Sequence, residues 1–236
     1  MKKLFLILII LFSTSCSELQ TFADAALEEQ KLSNAQIRKG LKQALQKGVD
    51  LQVRKLSEEN GFYNNDRVKI LLPQELQKVD DGLRKIGLGN VADQGLKLMN
   101  RAAEDAVKKA TPIFINAIKN MIIAEAKKVL LGEDNAATDL LRNKTSNKLY
   151  REFYPVVQNS FQNVGADELW ASAIDNYNKI PFQQDVDTDL SKYVTDQALN
   201  GVFTMIAAEE QQIRKDISSR TTDLLRRVFK FQDKRG

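Results

Sequence analysis

From Ser33 onward the chain alternates apolar and polar residues with helical spacing and shows no internal repeat or low-complexity tract. Ser33 followed by Gln36 has the form of a capping box. Behind it Ile37, Leu41, Ala44, Leu45, Val49, Val53 and Leu56 keep to one side of a helix. The run GFYNND, Gly61 to Asp66, breaks that helix. The apolar run Val68 to Leu72 has no second strand-like run near it, so it is expected to be extended without belonging to a sheet. Pro73 suits the first turn of a further helix, which Gly87 closes. Leu96, Met99, Ala103, Ala106, Val107 and Ala110 mark the next helix, with a break expected at Thr111–Pro112.

Ile113 to Leu131, stopped by Gly132, is the most apolar helix in the pattern. Asn116, Lys119, Asn120, Glu125 and Lys127 interrupt it, so it predicts a core helix and not a membrane span. A short helix around Ala136 to Arg142 precedes another marked by Leu149, Phe153, Val156, Val157, Ser160, Phe161 and Val164, which Pro155 should kink or split. Residues 167–179 carry Leu169, Trp170, Ala173 and Ile174. A long helix is expected from Asp189, its N-cap, to Lys215, and Leu224, Leu225, Val228 and Phe229 mark a last amphipathic one. The fold class is therefore all-α: an irregular multi-helix bundle forming a single domain over residues 33–236.

The beginning of the chain follows a different logic. Lys2 and Lys3 precede Leu4 to Phe12, an unbroken apolar run of nine residues. A membrane-spanning helix needs about 20 such residues, whereas a signal-peptide core needs far fewer. Ser13, Thr14 and Ser15 then lead to Cys16, the one cysteine in the chain. The arrangement resembles a lipobox, with Ser13 where leucine is usual. The alternative is an ordinary secretory signal followed by an accidental cysteine. Lipidation accounts better for a lone exported thiol. Residues 1–15 are thus expected to be a lipoprotein signal peptide, Cys16 the lipidated N-terminus, and residues 16–32 a polar tether. Ser17 is not the aspartate associated with inner-membrane retention in Gram-negative bacteria. The expected location is the outer membrane, lipid-anchored and facing the periplasm.

Composition narrows the chemistry. Histidine is absent, and Cys16 is the only cysteine. His-based triads, thiol nucleophiles in the domain, zinc sites built on His or Cys, and the Glu-x-x-His di-iron pattern are excluded. No cofactor and no transition metal are expected. The net charge of +4 includes Lys2 and Lys3 of the leader, and nothing in the balance calls for nucleic acid. Near the C-terminus Arg214, Lys215, Arg220, Arg226, Arg227, Lys230, Lys234 and Arg235 outnumber the acids. That basic segment could rest on anionic headgroups, but a solvated face is the simpler expectation.

Several runs carry a family resemblance: GFYNNDRVKILLP, MNRAAEDA from Met99, PIF from Pro112, LLGEDNAATDLLRNKT from Leu130, FYPVV from Phe153, and YVTDQALNGVF with EEQQIRKD from Tyr193 onward. Together they resemble the bacterial family called domain of unknown function 4197, over about Ser33 to Phe229. The resemblance implies an exported, α-helical protein, commonly a lipoprotein. It assigns no catalytic residues.

Two acids break the apolar faces. At 100° per residue, Glu125 falls among Phe114, Ile118, Met121, Ile122 and Val129. Glu209 falls among Val194, Ala198, Val202, Met205, Ile206 and Ile213. A carboxylate there must be paired, hydrogen-bonded or neutralised. It could be a structural partner of an arginine, with Arg101, Arg142 and Arg151 as candidates. The pair could instead serve as acid and base for glycoside hydrolysis, at a separation of ~5–9.5 Å, or as part of an oxygen-only metal site. Asn100 and Glu104 border the face of their helix and could line a pocket or cap a neighbouring segment. Asp185, Asp187 and Asp189 have the spacing of a calcium loop, but Leu190 stands where glycine is needed and a helix N-cap cluster explains them better. The expectation is a cell-envelope lipoprotein acting by binding or scaffolding, on a protein or envelope-polymer partner. The alternatives are a carboxylate-dependent hydrolase of cell-wall glycan and a carrier of a lipid-like ligand.

Overall fold

The computed structural model describes residues 33–73, 77, 80, 81, 84, 85, 87, 89–163 and 189–233. The helix expected after Pro73 lies mostly outside these residues, and the segment around Trp170 lies wholly outside them. The described helices are α1 (Asn34–Ser57), α2 (Gly89–Val107), α3 (Ala110–Lys119), α4 (Ile123–Leu130), α5 (Ala136–Gln162), α6 (Leu190–Lys215) and α7 (Asp223–Asp233). A short 3₁₀ turn, Ile217–Ser219, joins the last two. The fold is all-α, and no strand occurs among the described residues. None of their helices is long and apolar enough to cross a membrane.

Helix α6 is the centre of the bundle, packed against α5, α2 and α1, and α1 in turn carries α3, α4 and α7 on its other sides. The core is contiguous and runs through Val49 and Leu56 of α1, Phe114 of α3, Leu149 and Phe153 of α5, and Val194 and Val202 of α6. Ala102, Ala103 and Ala106 are fully buried on α2, and their small side chains let that helix lie close to its neighbours. The Phe114 and Phe203 rings meet edge to face, with centroids 5.7 Å apart and planes at 88°. Two glycines permit close approaches between segments distant in the chain. A Cβ on Gly201 would lie 2.6 Å from the Phe62 ring, and one on Gly40 would lie 2.8 Å from a Val228 methyl. Gly40 is therefore where α7 seats on α1.

Several ends follow the local chemistry read from the chain. The Ser33 and Gln36 side chains cap each other's backbone N–H groups at 3.2 and 2.8 Å. Asp189 caps α6 by accepting the Lys192 N–H at 2.8 Å. Gly87 has a left-handed backbone, φ 81°. Its N–H donates to the Arg84 carbonyl at 3.1 Å. Val68 belongs to the turn that follows Asn65, and residues 69–72 have no regular structure and pair with no described strand.

Three boundaries differ from the periodicity, each for a physical reason. The break expected at Thr111–Pro112 falls earlier. α2 ends at Val107 and Ala110 opens α3, which leaves Pro112 in the first turn, where its missing N–H costs nothing. The long helix expected over Ile113 to Leu131 is two helices. Asn120 ends α3, and Ile122 is extended at φ −84° and ψ 167°. Conversely, the helix expected at Ala136 to Arg142 and the one after it are a single helix, and Pro155 lies inside it without splitting it. The polar stretch between them does not end α5. The Thr145 and Ser146 hydroxyls donate to the carbonyls of Leu141 and Arg142, at 2.6 and 2.7 Å.

Candidate functional site

Asn100 and Glu104 project from α2 and are fully buried, committed to the loop between α1 and Pro73. Asn100 acts on the Val68–Leu72 run as a neighbouring strand would. Its Oδ1 accepts the Ile70 N–H at 2.8 Å, while its amide donates to the carbonyls of Ile70 and Leu96 at 2.9 and 2.7 Å. Glu104 accepts the Phe62 N–H at 3.2 Å and meets Arg101 at 3.3 Å. These residues satisfy backbone groups that burial would otherwise orphan. They fix the loop, and with it the position of Arg67.

A second buried carboxylate is Glu210, next to the residue the pattern selected. It is 6% exposed. It accepts the Ala137 and Thr138 N–H groups at 2.9 and 2.8 Å and the Thr138 hydroxyl at 2.8 Å. Arg214, four residues on, pairs with it at 2.7 Å and donates also to the Val129 carbonyl at 2.8 Å. One ion pair thus joins the end of α4, the start of α5 and the body of α6. The carboxylate lies at the positive end of α5. Nearby, the Arg220 side chain is 2% exposed. It donates to the carbonyls of Ile213 and Arg214 and forks onto Asp233 at 2.6 and 2.9 Å. The Asp233 carboxyl is held below the usual range, chiefly by that hydrogen bond. The expected solvated basic face therefore does not extend to Arg214 and Arg220, although Arg226, Arg227 and Lys230 are exposed.

The two acids singled out from the apolar faces have separate partners and are not deeply buried. Glu125 is at the N-terminus of α4, where it accepts the Ile122 N–H at 3.0 Å and pairs with Lys144 at 2.6 Å. The Lys144 hydrogen bond, with help from that N–H, lowers its pKa below the ordinary value. Glu209 accepts from the Gln52 amide at 2.7 Å and lies against Gly48. The structure gives each its own neighbour, on α5 and α1, and no common cleft. Of the arginines considered as partners, Arg101 meets Glu104 and Asp105, Arg151 is exposed, and Arg142 lies over the Phe203 ring.

An apolar cavity beneath α7, lined by Leu41, Leu45, Val49, Ile206, Ile213 and Phe229, holds about 30 Å³. That is room for a water molecule or two, at about 10–15 Å³ each, and too little for a lipid-like ligand. Cys16, Asp185 and Asp187 lie outside the described residues. Asp189 is the cap of α6 and accepts from the Tyr154 hydroxyl at 2.9 Å. Among the described residues no group of three or more acidic, histidine or cysteine side chains is placed to hold a metal ion.

An open cleft of ligand size, about 520 Å³, lies between the first turns of α5 and the second half of α6. Asn135, Thr138, Asp139 and Arg142 line it from the α5 side. Phe203, Thr204, Ala207, Ala208 and Gln211 line it from α6, and Arg67 reaches it from the stapled loop. The Gln211 amide donates to the Asn135 side chain at 2.9 Å and closes one end. The Arg142 guanidinium lies 4.4 Å from the centre of the Phe203 ring. Nothing in the sequence pattern marked this cleft, because its residues come from three separated segments and are unremarkable singly.

Fold and cleft together define an all-α bundle with an open groove that Arg67 and Arg142 help to line. The chain matches a family described as a protein of unknown function (DUF4197) over residues 31–230, and it belongs to that family. No curated protein and no solved structure matches it significantly.

Proposed function

We propose that the protein is a lipid-anchored component of the cell envelope that acts by binding, with the cleft between α5 and α6 as its binding surface. The observation that carries this reading is the cleft, whose volume of about 520 Å³ falls in the range of ligand sites. Its walls are held by buried polar groups that are themselves satisfied, as a preformed site requires. The leader ending at Cys16 supports the anchor, and attachment there through more than one acyl chain would be durable. A glycan hydrolase would need two carboxylates facing one sugar-sized space. The cleft is lined by one, Asp139, while Glu125 and Glu209 are engaged elsewhere.

Ala207 and Ala208 are small, partly exposed residues of the cleft lining, so Ala208→Trp should fill it without disturbing the core. Mass spectrometry of material co-purifying with the full chain from its own envelope should reveal a component that the wild type retains and Ala208→Trp loses. An identical set of components from both proteins would sink the cleft as the binding surface. Palmitate labelling should disappear in Cys16→Ser, and labelling that survives would remove the anchor.

A further inference from the structure

We infer that the cleft recognises an oxyanion, a carboxylate or phosphate group of its ligand, with Arg142 as the anchoring residue and Arg67 as the second cation. This rests on the reading of the cleft as a binding surface and names the chemistry it selects.

The argument is a comparison within the molecule. The guanidinium groups of Arg214, Arg220 and Arg142 each lie over a phenylalanine ring. Arg214 and Arg220, over Phe229, are each joined to a carboxylate, Glu210 and Asp233. Arg142 is stacked at 4.4 Å on Phe203 and is partly buried, yet no carboxylate among the described residues lies within ion-pairing distance of it. Stacking occupies one face of the guanidinium and leaves its edges, which carry the N–H donors, free to form a fork. Partial burial strengthens its hold on an incoming anion by reducing screening. Its position is fixed, since Phe203 is buried against Phe114 and the start of α5 is clamped by Glu210. Asp139, three residues before Arg142, also lines the cleft and makes no ion pair with it. It opposes an anion there and so supplies a test of sign.

The test uses the full chain in a non-ionic detergent, with inorganic phosphate and acetate as probes and sodium chloride as the ionic-strength control. The readout is the Nε–Hε resonance of Arg142, identified by its loss in Arg142→Lys. Both probes should shift it saturably where chloride does not. Arg67→Ala should weaken phosphate binding about three- to tenfold, and Asp139→Asn should strengthen it about two- to fivefold. Ala208→Trp should abolish saturation, and Arg227→Ala, an exposed arginine on α7, should change nothing. Melting temperatures identify any variant that fails to fold. A tighter fit for phosphate names a phosphate ligand, and a tighter or equal fit for acetate a carboxylate. Shifts that chloride reproduces, or that ignore Arg67 and Asp139, overturn the inference. If they do so while Ala208→Trp still strips a co-purifying component, the cleft binds a different chemistry and only the oxyanion assignment falls. If that component is absent too, both readings fall.

Discussion

The closed end of the bundle, where α7 covers α1 and α6, and the open cleft on the other side of α6 are built from the same parts. Each sets an arginine against a phenylalanine ring near a helix end. At the closed end the arginines meet Glu210, Asp233 and the last carbonyls of α6, and their hydrogen-bonding capacity is used in holding helices together. At the cleft Arg142 has the ring, and no carboxylate among the described residues pairs with it. The difference is the paired acid, which makes the cation part of the scaffold at the closed end; on the proposed reading Arg142 serves a ligand instead. Stability should therefore respond to substitution at the first and scarcely at the second.

The largest effect is expected at Glu210. Removing one partner of a buried ion pair costs about 3–5 kcal/mol. For a chain of this size that lowers the melting temperature by on the order of 10 °C. Glu210→Gln should show this in urea and thermal unfolding. Glu210→Gln combined with Arg214→Met should recover much of the loss, because no uncompensated charge then remains. A Glu210→Gln protein as stable as the wild type would erase the contrast between the two regions.

Next in size is Asn100→Ala, which leaves the Ile70 N–H and carbonyl without partners. At about 1–3 kcal/mol for each buried orphan, a loss of about 2–6 kcal/mol is expected in urea unfolding. The loop bearing Arg67 should also exchange its amide hydrogens faster. Because that loop forms one wall of the cleft, this variant should weaken ligand binding without touching Arg142.

At the cleft, Arg142→Gln should change stability by less than about 1 kcal/mol, the order of an exposed cation–π contact. Denaturant unfolding checks this. A loss comparable with that at Glu210 would mean that Arg142 belongs to the scaffold.

The smallest effect is expected at Glu125, whose side chain is 25% exposed beside a 33% exposed Lys144. Glu125→Gln should cost about 0.5–1 kcal/mol, as partly exposed pairs do. Its pH dependence has a definite sign. The folded pKa is lowered by Lys144 and the Ile122 N–H, so the stabilisation is present above the ordinary carboxylate pKa of about 4.3 and is lost as pH falls through the folded value. Asp233, lowered by Arg220, behaves the same way. The wild-type unfolding midpoint should fall on acidification below about pH 4.5, and the Glu125→Gln variant should lose less over that range.

These rankings depart from the sequence pattern in an instructive way. A projection at 100° per residue puts Glu125 at the centre of an apolar face only if Ile113 to Leu131 is one helix. The turn at Asn120 to Ile122 resets the phase, so azimuths computed across it have no meaning. The half of a capping box that Glu125 supplies was visible in hindsight only from its spacing to Ile122. For α6 the projection was continuous and still selected Glu209 over Glu210. That helix is packed against α1, α2 and α5 together, so its buried surface is wider than a single stripe. A Glu-x-x-x-Arg pair also reads as a solvated pair until tertiary packing encloses it.

What the sequence determined by itself is what neighbouring residues decide among themselves. It specified the helical class, the caps at Ser33 and Asp189, the loop after α1, the span of α6 and membership of the family. The tertiary structure alone decided which helices fuse or divide, which of two adjacent glutamates is buried, and that Arg67, Arg142 and Phe203 share one cleft. The physical reason is range. Caps and periodicity are set by hydrogen bonds and side-chain directions within a few residues, whereas burial, ion pairing and the stacking of Arg142 on Phe203 depend on segments brought together only when the bundle closes.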